Sequence, residues 1–146
     1  MSARSRIVDS LIIKLKEING SGYYKTSMSG NVFGKMKFYD EISDFPTICV
    51  ISGYESREYL PSSFKWGYLN ISLKIYVEGE NAQELLENLL SDIEYTISQN
   101  EQLKYDAGVG EQTAEILITS IQTDEGVMAP LGVGEINCTA RYQVLT

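Results

Sequence analysis

The chain lacks histidine altogether, and this absence removes a large group of functions. Histidine supplies most general bases, the usual partner of a serine or cysteine nucleophile, and many zinc ligands. The two cysteines are too few for a four-thiolate metal site, and no Gly-x-x-x-x-Gly-Lys-Ser/Thr phosphate-binding loop occurs. We therefore do not expect histidine-dependent hydrolysis, a zinc site or a nucleotide-binding loop.

Long apolar runs and an excess of positive charge are also missing. No apolar run approaches the roughly 20 residues that span a bilayer, and the charged first residues are unlike a secretory signal. The net charge of −8 disfavours unassisted nucleic-acid binding, which depends on Lys and Arg replacing counterions. We expect no membrane segment and no DNA-reading activity.

The remaining bulk properties are those of one folded domain. A hydrophobic fraction of 43% over 146 residues suffices for one continuous core, so residues 1–146 are expected to form a single domain. Cys49 and Cys138 each lie in an apolar, strand-like stretch, where a thiol is usually a small buried hydrophobe. A disulfide is not expected, which fits a reducing cytosol.

Apolar periodicity predicts the elements of the first half of the chain. Ile7, Leu11, Leu15 and Ile18 recur at helical spacing before Asn19-Gly20, which is a typical helix end. The predictions are a helix over residues 4–18, a short strand or extended arm at 23–26, a strand at 32–39, a turn at 40–45, a buried strand at 47–51 and a long hairpin loop at 54–65.

The second half begins with the clearest period of two in the chain. Alternate apolar residues from Leu69 to Val77 predict a strand over 66–78. Asn81 and Glu84 have the spacing of a capping box and predict the start of a helix that runs from 82 to about 99. The predictions that follow are a loop at 101–112, a strand at 113–123, a loop through 134 and a strand at 135–144; Gly108-Val109-Gly110 and Gly132-Val133-Gly134 are interpreted as turns.

This order of elements predicts an α+β fold. Both long helices have one apolar stripe, which suits a two-layer sandwich with a mostly antiparallel sheet and both helices packed on one face.

Two loops are candidate interfaces with other protein subunits. Tyrosine and tryptophan bury large areas and keep a polar group, so they are favoured at interfaces; capping of the core edge is the alternative interpretation. The candidates are Tyr54, Arg57, Tyr59, Leu60, Phe64 and Trp66 in the hairpin, and Asp124, Glu125 and Pro130 in the later loop.

A carboxylate metal site is the remaining route to catalysis. Asp92 and Glu94 on the second helix could bind magnesium if folding brought them close to Asp124 and Glu125. The spacing is not specific, because residues two apart on a helix project in different directions.

Three stretches resemble the tail terminator (tail completion) proteins of long-tailed bacteriophages. They are Asp44-Phe45-Pro46 with Gly53-Tyr54-Glu55, then residues 90–94, and finally Thr123-Asp124-Glu125-Gly126 through Tyr142. The resemblance implies a structural virion protein, not an enzyme, with no cofactor. It also implies a homohexameric ring on the head-proximal end of the tail tube, where the ring ends polymerisation and offers a head-docking surface.

That resemblance also implies the partners. They are further copies of the chain, the tail tube protein and a head-tail connector protein, and genomic DNA would pass through the lumen without specific binding. The chain would be assembled in the host cytoplasm and reside in the virion tail. Contacts in such a ring are head-to-tail, so we expect the hairpin of one copy to meet the 124–134 loop of the next. The alternatives are another head-tail connector or neck ring protein and, less favoured, the metal-dependent enzyme.

Overall fold

The computed structural model describes residues 2–28, 30–106 and 110–145. Its helices are α1 (Ala3–Leu15) and α2 (Ala82–Gln99), with short 3-10 turns at Tyr39–Glu41 and Pro61–Ser63. Its strands are β1 (Val32–Phe33), β2 (Thr47–Leu60), β3 (Phe64–Glu78), β4 (Lys104–Asp106), β5 (Glu111–Gln112), β6 (Glu115–Thr123) and β7 (Leu131–Gln143).

The main sheet has the strand order β1-β2-β3-β7-β6. Every pairing in it is antiparallel except that of the short β1 with β2. Strands β4 and β5 form a separate two-stranded ribbon. The predicted α+β fold with a mostly antiparallel sheet and two main helices is confirmed.

The core lies between the helices and one face of this sheet. The alternate residues Leu69, Ile71, Leu73 and Ile75 of β3 are buried there, as the period of two predicts. They pack in one cluster with apolar residues of α1, α2 and β7, including Ile7, Leu11, Leu86, Leu89, Ile136 and Ala140. Cys49 and Cys138 are both free thiols and are buried, as their apolar surroundings in the sequence predict.

The helix predictions are correct in position and differ in detail. Helix α1 ends at Leu15, one turn earlier than predicted, although Ile18 is still buried because a tight turn joins its N–H to the Leu15 carbonyl (3.2 Å). Helix α2 starts and ends as predicted. The capping box at Asn81 is wrong, because that side chain makes no capping hydrogen bond.

The predicted hairpin loop at residues 54–65 is wrong, because most of it is strand. Strand β2 continues to Leu60, only Pro61–Ser63 turns, and β3 begins at Phe64. The backbone ladder persists to the tip, where Leu60 lies opposite Phe64. A ribbon that is solvated on both faces needs no apolar alternation, so its sequence lacks the pattern that identifies a buried strand.

The interpretation of Gly132-Val133-Gly134 as a turn is also wrong. Both glycines lie inside β7, where helix α2 approaches the sheet closely. A Cβ atom on Gly132 would lie 2.7 Å from Val77 Cγ2, and one on Gly134 would lie 3.0 Å from Leu86 Cδ1. Glycine is required there for packing and not for turning.

The remaining connections differ in smaller ways. Residues 32–39 contain only the two-residue β1, and the predicted loop at 101–112 contains β4 and β5. The arm at 23–26 is not a strand, but a single bridge joins Asn19 to Ser27 beside it. In the predicted turn at 108–110, the residues 108 and 109 lie outside the described residues.

Candidate interface surfaces

The six candidate residues of the hairpin do not form one patch. A bulge places Gly53 and Tyr54 between the register pairs Ser52–Ile71 and Glu55–Leu69, and this extra residue reverses the facing of β2. Arg57 and Tyr59 consequently share the helix side of the sheet. The Lys65 ammonium lies 5.9 Å from the centre of the Tyr59 ring.

Leu60, Phe64 and Trp66 lie on the face of the sheet opposite the helices, and Tyr54 lies in the bulge itself. The rings of Phe64 and Trp66 meet edge to face at 5.0 Å, and Leu60 pairs with Phe64 across the strands. The Arg141 guanidinium stacks over Trp66 at 4.5 Å and its Nε lies 3.3 Å from the Glu115 carboxylate. This side therefore combines an aromatic surface with paired charges.

A buried carboxylate fixes the base of the hairpin. The Glu55 side chain is 3% exposed; it accepts a hydrogen bond from the Tyr142 hydroxyl at 2.9 Å and pairs with Arg57 and, at 3.9 Å, with Arg4. Burial of the Tyr142 ring, together with this bond to Glu55, raises the pKa of Tyr142 to about 12. Since Arg4 belongs to α1, the cluster ties the first helix to the hairpin.

Sequence reasoning missed the Glu55 cluster, although one signal was present. Gly67 interrupts the alternating strand β3, and a Cβ atom there would lie 2.7 Å from Tyr142 Cε1. An isolated glycine within a strand often marks such a close approach. The signal does not identify the partner, because Tyr142 is distant in sequence.

The second candidate surface is the loop at residues 124–130, and its conformation is fixed by its own hydrogen bonds. The Asp124 carboxylate accepts the Met128 N–H at 3.0 Å, and the Asp124 carbonyl accepts the Val127 N–H at 3.0 Å. The Pro130 carbonyl accepts the Gly79 N–H at 2.9 Å, and Glu125 has a positive φ of 55°. The loop is therefore ordered by backbone and carboxylate contacts.

The most exposed apolar side chains of this loop were not predicted as interface residues. Val127 is 85% exposed and Met128 is 43% exposed. Two adjacent apolar residues in a turn between strands were the available signal. The candidates Asp124, Glu125 and Pro130 lie in the same loop, so folding brings this set together.

The hairpin and the loop lie at opposite ends of the strands. In the pairing of β3 with β7, Trp66 lies opposite Gln143 at the hairpin end, and Glu78 lies opposite Leu131 at the loop end. A strand rises about 3.3 Å per residue, so the two surfaces are about 40 Å apart. They cannot meet within one chain.

The two edges of the sheet also expose backbone N–H and C=O groups. Strand β1 pairs only with Ile48 and Cys49, so residues 50–60 of β2 have no partner strand at that edge among the described residues. At the opposite edge, β6 pairs only with β7 within the same described part of the chain. Leu117 of β6 is 48% exposed. The free strands run antiparallel to each other, since each neighbouring pair from β2 to β6 is antiparallel.

The candidate metal-binding carboxylates do not form a metal site in the described part of the chain. Asp92 is fully buried, and its carboxylate accepts the backbone N–H groups of Lys25 (2.9 Å) and Thr26 (2.7 Å) and the Thr26 hydroxyl (2.6 Å). Within residues 2–28, 30–106 and 110–145 no group of three or more Cys, Asp or Glu side chains is placed to hold a metal ion. Asp92 instead anchors the arm before β1 to helix α2.

Comparison with known proteins identifies the family. The family described as "Bacteriophage Tail Tube Terminator Protein" matches residues 1–146. Tail tube terminator protein p142 of Escherichia phage T5 is 34% identical over 153 residues, which cover 98% of this chain and 95% of the T5 protein. The chain belongs to the bacteriophage tail tube terminator family.

The fold of this chain also has a counterpart among solved structures. A chain from the virion of a native gene transfer agent particle superimposes with a TM-score of 0.65, covering 99% of this chain and 100% of that chain. Their identity is only 7%, so the likeness is one of fold. No helix in the described part of the chain is long and apolar enough to cross a membrane.

Proposed function

We propose that the chain forms a homohexameric ring that caps the head-proximal end of a phage tail tube. The ring ends tube polymerisation and presents the surface to which the head docks. Family membership supports the tail terminator role, and the two free edge strands, which run in opposite directions, carry the proposal of a ring. The free edge of β2 on one copy differs from the free edge of β6 on the next copy, as a head-to-tail contact requires.

Six sheets can join into a closed ring if the β6 edge of each copy pairs with the β2 edge of the next. Residues 50–60 of β2 and strand β6 have similar lengths, and an antiparallel contact between neighbouring copies would extend the sheet. Six copies with four long strands each would form a sheet of about 24 strands, about 4.8 Å apart, with a backbone diameter of about 37 Å before strand tilt widens it. The helices would then lie outside.

Such a ring leaves a bore wide enough for duplex DNA. Side chains occupy about 5 Å on each wall, so the open width is about 27 Å. The bore side of the sheet carries Glu58, Glu115 and Glu135 against Lys74 and Arg141, and Glu135 and Glu115 each pair with one of these cations. Because acidic side chains slightly outnumber basic ones on this surface, binding of DNA would release few counterions and would gain little free energy. This suits passage of DNA without specific contact.

The strand ends are then the two faces of the ring. One face presents the hairpin with Tyr59, Leu60, Phe64 and Trp66, and the other presents the loop with Asp124, Glu125 and Pro130. We propose that one face binds the tail tube protein and the other binds the head-tail connector protein. Tyr54 and Arg57 lie in the uncovered edge segment of β2, residues 50–60, and we assign them to the contact between copies. This assignment replaces a direct contact between hairpin and loop, which are about 40 Å apart along the strands.

The mechanism is geometric and requires no catalysis. A tube stops growing when its last ring presents a face that does not accept the next tube subunit. The virion tail is accordingly the proposed location, after assembly in the host cytoplasm. No observation favours a metal-dependent enzyme, because the Asp92 oxygens already accept hydrogen bonds from Lys25 and Thr26.

Light scattering and negative-stain electron microscopy of the concentrated chain, alone and with isolated tail tubes, test the proposal. We expect closed six-fold rings with an open centre and a mass six times the 16.4 kDa of one chain. Leu117→Lys places a charge on the edge strand β6, on the face opposite the helices and beside the proposed contact, and should weaken ring formation. Ile13→Lys is the matched control, since Ile13 is 62% exposed on α1, and should leave rings intact. A chain that stays monomeric and never binds tube ends would refute the proposal.

A further inference from the structure

We propose that an apolar groove beside helix α2 receives the Val127-Met128 tip of the loop at residues 124–130 from the neighbouring copy. The proposal rests on the proposed ring and names a specific contact within it. The occupant of the groove is a second copy of this chain.

The groove is open, apolar and unfilled by its own chain. It has a volume of about 310 Å³ and lies between α2, the end of β3 and the segment before β2. Its apolar walls are formed by Phe45, Pro46, Val77, Leu85 and Leu89. Leu85 belongs to the apolar stripe of α2 but is 40% exposed, because this groove lies beside it. A contiguous exposed apolar groove marks an interaction site, whereas a single scattered surface leucine does not.

The Val127-Met128 tip is suited to entering a groove on another copy. Both side chains are exposed, and the loop beneath them is held by the hydrogen bonds of Asp124. A loop that is already ordered loses little conformational freedom on binding. Val127 therefore needs no rearrangement of its own chain to enter a groove on another copy.

The positions of groove and loop fit neighbours in a ring. Thr47 pairs with Tyr76, Tyr76 pairs with Val133, and the Asp124 N–H donates to the Val133 carbonyl, so all lie on one row across the sheet. The groove lies at the β2 side of this row and the loop at the β6 side. Because β1 covers Ile48 and Cys49, β6 of one copy would meet β2 of the next only from Val50 onward. The loop that follows β6 would then pass the end of β1 and reach the groove.

Charges at the rim agree with this pairing. The groove is bordered by exposed Lys25 and Glu78, and the loop carries exposed Glu125. In the proposed contact Glu125 would pair with Lys25. The Lys25 backbone N–H binds Asp92, but its ammonium is not part of that anchor, so the charge can be exchanged without disturbing the fold.

Ring formation by substituted full-length chains tests the contact. Val127→Asp should weaken association at each contact tenfold or more, and Ile13→Asp, on an exposed position of α1, should not. Lys25→Glu should weaken rings, and adding Glu125→Lys to it should restore them. Rings that form equally well with Val127→Asp and Lys25→Glu would overturn the contact while leaving the hexamer intact.

Disulfide trapping gives an independent readout of the same contact. The pair Val127→Cys and Leu85→Cys should link copies into a ladder of up to six chains on mild oxidation, because the native Cys49 and Cys138 are buried and do not compete. The pair Val127→Cys and Ile13→Cys should give none. Intact wild-type rings without the first ladder would overturn the inference alone, whereas absence of any ring, even with tail tubes present, would overturn the proposed function and the inference together.

Discussion

Replacement of Asp92 by alanine should lower the free energy of unfolding by about 3 kcal/mol. The buried carboxylate accepts the N–H groups of Lys25 and Thr26 and the Thr26 hydroxyl at 2.6 to 2.9 Å. A hydrogen bond to a charged group contributes about 1.5–3 kcal/mol, and loss of one buried partner leaves the others unpaired. Thr26 is only half-buried and Lys25 is exposed, so water replaces part of the lost bonding and keeps the total near the contribution of one such bond, about 3 kcal/mol.

The asparagine variant separates shape from charge. Asp92→Asn keeps the volume but turns an amide donor toward groups that are all donors, so we expect a loss of about 1.5–3 kcal/mol. Thr26→Val removes one of the three donors and should cost about 1 kcal/mol by itself. In the Asp92→Ala background the same substitution should cost much less, since its acceptor is already gone.

Urea unfolding, with the midpoint and slope both fitted, measures these differences. Glu94→Gln on the same helix is the control; because Glu94 is exposed, we expect a change within about 0.5 kcal/mol. An unchanged midpoint for Asp92→Ala would refute the anchoring role. Stabilisation of the wild-type chain by magnesium that disappears in Asp92→Asn would favour the metal site instead.

Three further outcomes are expected. Gly132→Ala should lower the free energy of unfolding by about 1–3 kcal/mol through overpacking against Val77, whereas Gly53→Ala, with no atom within 4 Å of its added Cβ, should be nearly neutral in urea unfolding. Because the pKa of Tyr142 is raised to about 12 in the folded chain, its contribution to stability is complete below pH 10 and is lost as pH rises through 12; titration of tyrosinate absorbance in wild type and Tyr142→Phe measures it. Burial raises the pKa of Cys138 to about 12, so iodoacetamide should label this thiol only after unfolding, as mass spectrometry will show.

Local pattern was sufficient for the elements that face the core. The period of two in β3 and the apolar stripe of α2 each reflect burial on one face, and both elements lie where the sequence predicts. The two-layer arrangement follows from those stripes, because two amphipathic helices can bury them together only on one side of a sheet.

The hairpin strands and the glycines within β7 could not be predicted from local sequence pattern. The outer part of β2 is partly solvated on both faces, so nothing in its composition separates it from a loop. Gly132 resembles a turn former until helix α2 is known to pack over it. These features depend on contacts between distant segments, which periodicity in one segment does not report.

The candidate surfaces were partly predictable for a similar reason. Tyr59, Phe64 and Trp66 stand out by composition, and the structure places their side chains on a projecting ribbon. The facing of each residue could not be predicted, because the bulge at Gly53 shifts the alternation by one position. The groove between α2 and the segment before β2 was not predictable, since its walls come from separate parts of the sequence.

The arrangement of these surfaces bears on how a tube terminator can stop growth. A subunit that joins its copies through the sides of a sheet uses up both free strands within the ring, so no unpaired strand is left to recruit a further copy. Growth along the tube must then depend on the strand ends, and these differ completely: one is an aromatic ribbon, the other an ordered acidic loop. In the proposed ring the two ends differ in chemistry, so a second identical ring would have to stack an acidic loop on an aromatic ribbon. If Val127 and Met128 are buried by the neighbouring copy, the loop end loses its apolar tip on assembly, and the hairpin end becomes the main apolar surface left for a different protein.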